Sequence, residues 1–296
     1  VDSLCYPIQL AYLLWKNTGC TSQFNEDFQR GADRIIQTFR REQNHEKNSS
    51  YRFVRENTYF TDTLSREGKG ALVKGDIGLT WSGFRPSDDA CTYGYLIPSN
   101  MFAVIVLGYL EEIEKIVYHS EQMQTEAACL RQQIEEGIGR YGIVETEDFG
   151  KIYAYEVDGF GQYNLMDDAN IPNLLSLPYL GYRGDAEVIR NTRRFILSEA
   201  NPYYYLGKFS CGIGSPHTPV RHVWQLALIM QGMTSADERE REDILRMLSE
   251  TDAGTGLMHE SMHVDDPSRY TREWFSWANA LFCEWILEIC GYRIVK

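Results

Sequence analysis

The residues in this sequence whose types and spacing could carry chemistry fall into two groups. One is a contiguous string, His259-Glu260-Ser261-Met262-His263, which fits the pattern H-E-x-x-H. On a helix that pattern sets two imidazoles on one face to hold zinc, with the glutamate beside them as general base for peptide hydrolysis. A downstream acid such as Glu284 would then be the third ligand. The other group is dispersed: Trp81, Arg85, Asp88, Asp89, Tyr93 and Tyr95 in one stretch, Asp167, Asp168 and Asn170 in a second, and His217 in "GIGSPHTP". Carboxylates among aromatics, amides and an arginine suit a sugar site, because hydroxyls need hydrogen-bonding partners and glycosidic cleavage uses two carboxyl groups in opposite roles.

Local context decides against the zinc reading. Gly254 and Gly256 precede the string and Asp265-Asp266-Pro267 follows it. Glycines so close together favour a turn, and the residue before a proline is pushed out of the helical region. A helix between such breakers would have about two turns, too few to be stable on propensity alone. The sequence therefore predicts a loop over 259–263, with no metal and no cofactor. Each dispersed residue also has a purely structural reading. Paired aspartates cap helices and make turns, Trp81 could be core, and His217 between prolines could be an ordinary surface residue.

The elements that must position these side chains are mostly helices. Apolar residues recur at helical spacing at Leu10, Leu13 and Leu14, and again at Phe28, Ala32, Ile35, Ile36 and Phe39. Ser99 is the expected cap of a helix from Met101 to about Tyr118. Further helices are expected near 122–138, 170–180, 186–198, 221–233, 238–250 and 271–290. In the last, Thr271 would be the cap, and Trp274, Trp277, Ala278, Leu281 and Trp285 the packing face. The connections 66–98, 142–166 and 199–220 are long, glycine-rich and aromatic. Loops this long in a helical protein usually carry function. "KIYAYEVDGFGQYNL" alternates like a small hairpin around Asp158-Gly159.

Bulk properties narrow the partners. A net charge of -13 with no basic run argues against nucleic acid. The longest apolar run, "MFAVIVLGYL", is well short of the ~20 residues that span a bilayer, so no membrane association is expected. Seven cysteines without C-x-x-C spacing read mostly as buried thiols of a reducing, cytoplasmic compartment.

Four blocks carry a more specific resemblance: "GLTWSGFRPSDDACTYGYLIPSNMFAVIVLGYLEEI", "YAYEVDGFGQYNLMDDANIPNLLSLPYLGY", "GIGSPHTP" and "TGLMHESMHVDDPSRYTREWFSWANALFCE". Together they resemble glycoside hydrolase family 125, the exo-α-1,6-mannosidases, across essentially the whole chain. The resemblance implies an all-α (α/α)6 barrel of paired inner and outer helices, with one small hairpin in a long loop. It also implies metal-independent, inverting removal of terminal α-1,6-linked mannose from glycans. Carried over by position, Asp88 is the general acid, held protonated by burial and by Asp89, and Glu260 is the general base. Trp81, Arg85, Asp89, Asp168, His217, His259 and His263 are expected around the sugar, the two flanking histidines either positioning the loop or touching hydroxyls. The family's Trp-Leu-Arg-Asp motif, expected to bind the terminal sugar, is absent here. With the abrupt apolar start at Val1, this makes 1–296 read as the C-terminal part of a longer single domain. The competing classes are the zinc peptidase, a non-catalytic glycan-binding protein and an inert helical scaffold.

Overall fold

Four polar side chains start four helices. Asn25, Ser120, Asp185 and Asp237 each accept a hydrogen bond from a backbone N–H of the first turn, satisfying a donor that would otherwise be orphaned. The computed structural model describes residues 1–295. Among them are eight helices longer than two turns: α1 (Asp2–Thr18), α2 (Glu26–Glu42), α3 (Ile97–Ile113), α4 (Glu121–Tyr141), α5 (Ala186–Ile196), α6 (Gln225–Met233), α7 (Glu238–Glu250) and α8 (Ser276–Ile289). Helix α3 is the hub of the N-terminal half. It is apolar nearly all round, from Met101 through Leu110, because α1 packs on one side of it and α4 on another.

Several boundaries differ from those read off the sequence. Helix α3 begins at Ile97 and not after a Ser99 cap, since Pro98 suits the first helical turn, where its missing N–H is no loss. Asn100 thereby enters the helix, where it accepts from the N–H of Thr80 and donates to the Thr80 carbonyl. The segment expected to be helical over 170–180 is helical only at Leu177–Leu180. The helix expected from 221 begins at Gln225, and the one expected from 271 begins at Ser276, because strands occupy the preceding residues. Thr271 is therefore not a cap, and Trp274 stands 62% exposed outside the helix. In α1 the buried face is Cys5, Ile8, Ala11 and Tyr12, with Tyr12 stacked on Tyr109 of α3 at 3.9 Å; Leu10 points outward, 72% exposed.

The long connections are pinned by short antiparallel strands. β1 (Tyr95–Leu96), β4 (Glu156–Val157) and β5 (Tyr163–Asn164) form one sheet with β4 in the middle. The pairs Glu156–Asn164 and Val157–Tyr163 flank Asp158-Gly159, where the alternation predicts a hairpin. β2 (Ile143–Thr146) pairs with β3 (Gly150–Tyr153), and β6 (Tyr204–Leu206) with β7 (Cys211–Ile213). A fourth sheet orders β8 (His222–Val223), β9 (Ser261–His263) and β10 (Asp266–Thr271) as β10-β9-β8. The chain is helix-rich as expected, but its long loops hold more strand pairing than the one expected hairpin, and that pairing satisfies backbone groups that irregular chain would leave buried and unpaired. Among the described residues no helix is long and apolar enough to cross a membrane.

Helices α6, α7 and α8 meet around one tryptophan. Trp285 of α8 is fully buried, the Arg241 guanidinium of α7 lies 5.9 Å from its ring, and a Cβ at Gly232 of α6 would come within 2.2 Å of that ring. Alanine is the better helix former, yet there is no space for it here. Gly232→Ala is expected to destabilise the protein by ~1–3 kcal/mol through overpacking, read by urea unfolding. A neutral or stabilising result would contradict this packing.

Candidate active site

The Asn100 clasp on Thr80 fixes the start of the stretch that carries the first acidic pair. Trp81 follows. Its ring stacks on His45 at 3.6 Å, and a side chain at Gly94 would meet the indole at 2.5 Å, so the glycines of "SGF" and "TYGY" leave room for the tryptophan. His45 is itself fixed by Glu42 and the Lys69 carbonyl. Beyond Trp81 the chain makes a tight hairpin. Cys91 donates to Gly83, Phe84 bridges Ala90, the Arg85 N–H donates to Asp89 and the Asp88 N–H to Arg85. Asp88 sits at the apex with φ of 69°, in the left-handed region that aspartate tolerates better than bulkier residues.

This turn gives the two adjacent aspartates opposite surroundings. Asp88 is exposed, against the expectation that burial surrounds it, and its carboxyl has no hydrogen bond among the described residues. It lines a cavity of about 940 Å³, along with Trp81, Arg85, Tyr51, Phe53 and Trp277. Asp89 is 3% exposed; its Oδ1 lies 3.2 Å from His217 Nδ1, and its buried Oδ2 has no partner among the described residues. His217 arrives from 128 positions away. The hydrogen bond to Asp89 raises its pKa above the ordinary histidine value, against partial burial, and the charges of Glu260 and Asp168 raise it further. His217 therefore sits where three separate acidic stretches of the sequence converge.

Arg85 and Asp168 form the floor of this cluster. Arg85 is buried, its Nε 2.6 Å from Glu156 Oε1 and its guanidinium 5.5 Å from the Tyr155 ring. Burial opposes its charge, but Glu156 outweighs this and holds its pKa above the usual arginine value. Asp168 accepts from Ser87 of the hairpin and from Asn170. Burial pushes its carboxyl above the usual range, against those bonds and the Arg85 charge. Asp167 points elsewhere and accepts from the N–H groups of Leu174 and Leu175, so it organises its own turn.

The H-E-S-M-H string lies on extended chain that continues as β9, not on the helix its zinc reading requires, and both ring nitrogens of His259 are turned to carbonyl oxygens. His259 is fully buried, stacked on Tyr270 at 4.0 Å, with Nδ1 facing the Glu273 carbonyl and Nε2 the Asp252 carbonyl. Enclosed in this way, it suits the first of its two expected roles, holding the chain, better than contact with a sugar. His263 packs edge-on against His222, the partner in its register with β8. Glu284 accepts from the Tyr179 hydroxyl. Glu260 is 5% exposed, donates its own N–H to the Thr271 carbonyl and pairs with Arg272 at 3.2 Å. It is not among the residues lining the 940 Å³ cavity.

Sequence reasoning missed Glu156, Tyr203 and Trp277. Glu156 was hidden in a strand pattern. The Tyr203 hydroxyl is raised by burial among the charges of Arg85, Asp168 and Asp89, and nothing in "YYYLG" marks one tyrosine above its neighbours. Trp277, read as a packing residue of the last helix, lines the cavity instead.

Comparison with known proteins gives three findings. The family model described as metal-independent α-mannosidase (GH125) matches residues 1–287. The meiotically up-regulated gene 157 protein of Schizosaccharomyces pombe is 42% identical over 299 residues, covering 98% of this chain; the chain spans 58% of that relative's length. A Streptococcus pneumoniae metal-independent α-mannosidase, solved in a non-productive complex with α-1,6-mannobiose, superposes with a TM-score of 0.95 at 51% identity, over 99% of this chain and 69% of that one.

The His217 arrangement makes a pH prediction. A histidine with a raised folded-state pKa contributes stability that is fully present below its unfolded value and is lost as pH rises through the folded one. Asp89→Asn removes the main cause, so the His217 titration followed by NMR should move down toward the ordinary histidine value. An unmoved titration would mean that Asp89 is not what holds the proton.

Proposed function

The chain belongs to the metal-independent α-mannosidase family, glycoside hydrolase family 125, and we propose that it hydrolyses terminal α-1,6-linked mannose from glycans with inversion at the anomeric carbon. On this reading residues 1–296 form the C-terminal part of a single glycosidase domain, and the eight helices supply part of the six inner and outer pairs of an (α/α)6 barrel. Asp88 donates a proton to the glycosidic oxygen as the bond to the anomeric carbon breaks. Glu260 takes a proton from the water that attacks the same carbon from the opposite face. Inverting pairs stand roughly 6.5–9.5 Å apart to admit that water.

One observation carries the choice within the acidic pair. Asp88 is exposed on the cavity lining with no competing bond, whereas Asp89 is buried against His217. Of the two, Asp88 is therefore the carboxyl free to meet a substrate. Asp89, His217 and Asp168 form the charged wall behind it, and Trp81 and Trp277 supply apolar faces for sugar C–H groups. The mannobiose in the pneumococcal relative supports the substrate class.

In the full-length protein, Asp88→Asn and Glu260→Gln should each reduce hydrolysis of an α-1,6-mannobioside by about 10²–10⁴-fold without unfolding. NMR of the first turnovers should show β-mannose as the initial product, and a chelator should leave the rate unchanged. Initial α-mannose would establish retention. If Asp89→Asn were the more damaging change, the acid role would pass to Asp89.

A further inference from the structure

Glu156 makes three contacts that are all with the acidic hairpin. Its Oε1 accepts from Arg85 Nε at 2.6 Å, and its Oε2 accepts from the N–H groups of Thr92 at 3.0 Å and Tyr93 at 3.1 Å. Arg85 opens the turn that carries Asp88, while Thr92 and Tyr93 lie on its returning limb. A single carboxylate thus closes the neck of the loop from both sides. Its own position is fixed, because β4 is the central strand of its sheet and Glu156 is paired with Leu96 on one side and Asn164 on the other. The side chain is fully buried. At the other end of the loop the Asp88 carboxyl has no bond of its own among the described residues, so its location depends on how the loop is held, at the neck by Glu156 and beside the apex by Ser87 on Asp168 and Asp89 on His217.

We propose that Glu156 is the positioning residue for the general acid, holding the Arg85–Tyr93 loop so that Asp88 reaches the leaving oxygen; this rests on the acid role given to Asp88 above. The role requires a carboxylate. A glutamine has one acceptor and one donor end: turned one way it sets its NH2 against the Thr92 and Tyr93 N–H groups, and turned the other way against the guanidinium. Either way one side of the neck is released. Asp88 would then be displaced from the leaving oxygen while the water-activating group, on the separate segment just before β9, stays in place.

That asymmetry gives a readout that general loosening would not produce. A sugar leaving group must be protonated as it departs, but dinitrophenolate leaves without a proton. The full-length protein, Asp88→Asn and Glu156→Gln are compared on α-1,6-mannobiose and on 2,4-dinitrophenyl α-mannoside, with circular dichroism and thermal melting as controls. Glu156→Gln is expected to lose about 10–100-fold in kcat on the disaccharide, within the range general acid catalysis supplies, and far less on the aryl mannoside, following the pattern of Asp88→Asn. Equal losses on both substrates, or no loss, with Asp88→Asn still selective, would overturn the positioning role and leave the acid assignment standing. If Asp88→Asn is itself unselective, the acid assignment fails and the positioning role fails with it. Should Glu156→Gln not fold, Arg85→Gln releases the same side of the neck with Glu156 still bonded to the two amides. The same selectivity then decides for the proposal, and its absence decides against it.

Discussion

The buried ion pair of Arg85 and Glu156 is the constraint on which the rest of the site depends. Removing two charges from water is costly, and their mutual attraction repays it only when the remaining polar atoms are also satisfied. Here the guanidinium also donates to the Thr92 hydroxyl and lies near the Tyr155 ring, and the second carboxylate oxygen takes two backbone N–H groups. The pair therefore joins an irregular hairpin to the middle strand of a small sheet, and the sheet to helix α3, which begins at Ile97 directly after β1. Asn100 of that helix then returns to hold Thr80, so the stretch from 80 to 96 is tied at its start, its neck and its end.

Within that frame the turn separates two carboxyl groups that are chemically identical and adjacent in sequence. A left-handed residue at the apex reverses the chain so sharply that consecutive side chains leave in different directions. Asp88 is sent to the cavity and Asp89 into a buried contact with His217. Different surroundings give like groups different tasks, which is how paired carboxylates divide labour in glycosidases. Asp89, Asp168 and Glu260 all bear on His217, so one imidazole joins loops that arrive from four parts of the chain.

Legibility varied with the range of the interaction that decided each feature. Although the caps expected at Ser99 and Thr271 are not where helices begin, helices α2, α4, α5 and α7 were readable because their apolar spacing repeats within a few residues. The starts of α6 and α8 were not. Strands β8 and β10 claim the residues before them, and a strand is settled by its partner in the sheet and not by its own sequence. The apolar spacing of α1 marked a helix without saying which side is covered: Leu10 is as apolar as Ile8, and only the position of α3 determines which of the two is buried. The H-E-S-M-H string shows the opposite case. Neighbouring glycines and a proline were enough to deny it a helix, and its extended conformation follows from them.

The sequence by itself determined the residue types, the apolar spacing of most helices, the turn that keeps the H-E-S-M-H string off a helix, and, through long blocks of resemblance, the family to which the chain belongs. Those depend on chemistry written over a few to a few tens of consecutive positions. Only the tertiary structure decided that Arg85 is spent on Glu156, that His259 is enclosed by carbonyls, that Trp277 faces the cavity, and that Asp88 and not Asp89 is exposed. Each of these depends on which distant groups share a small desolvated volume. Burial and pairing energies depend on distance in space, and the spacing of residues along the chain does not contain it.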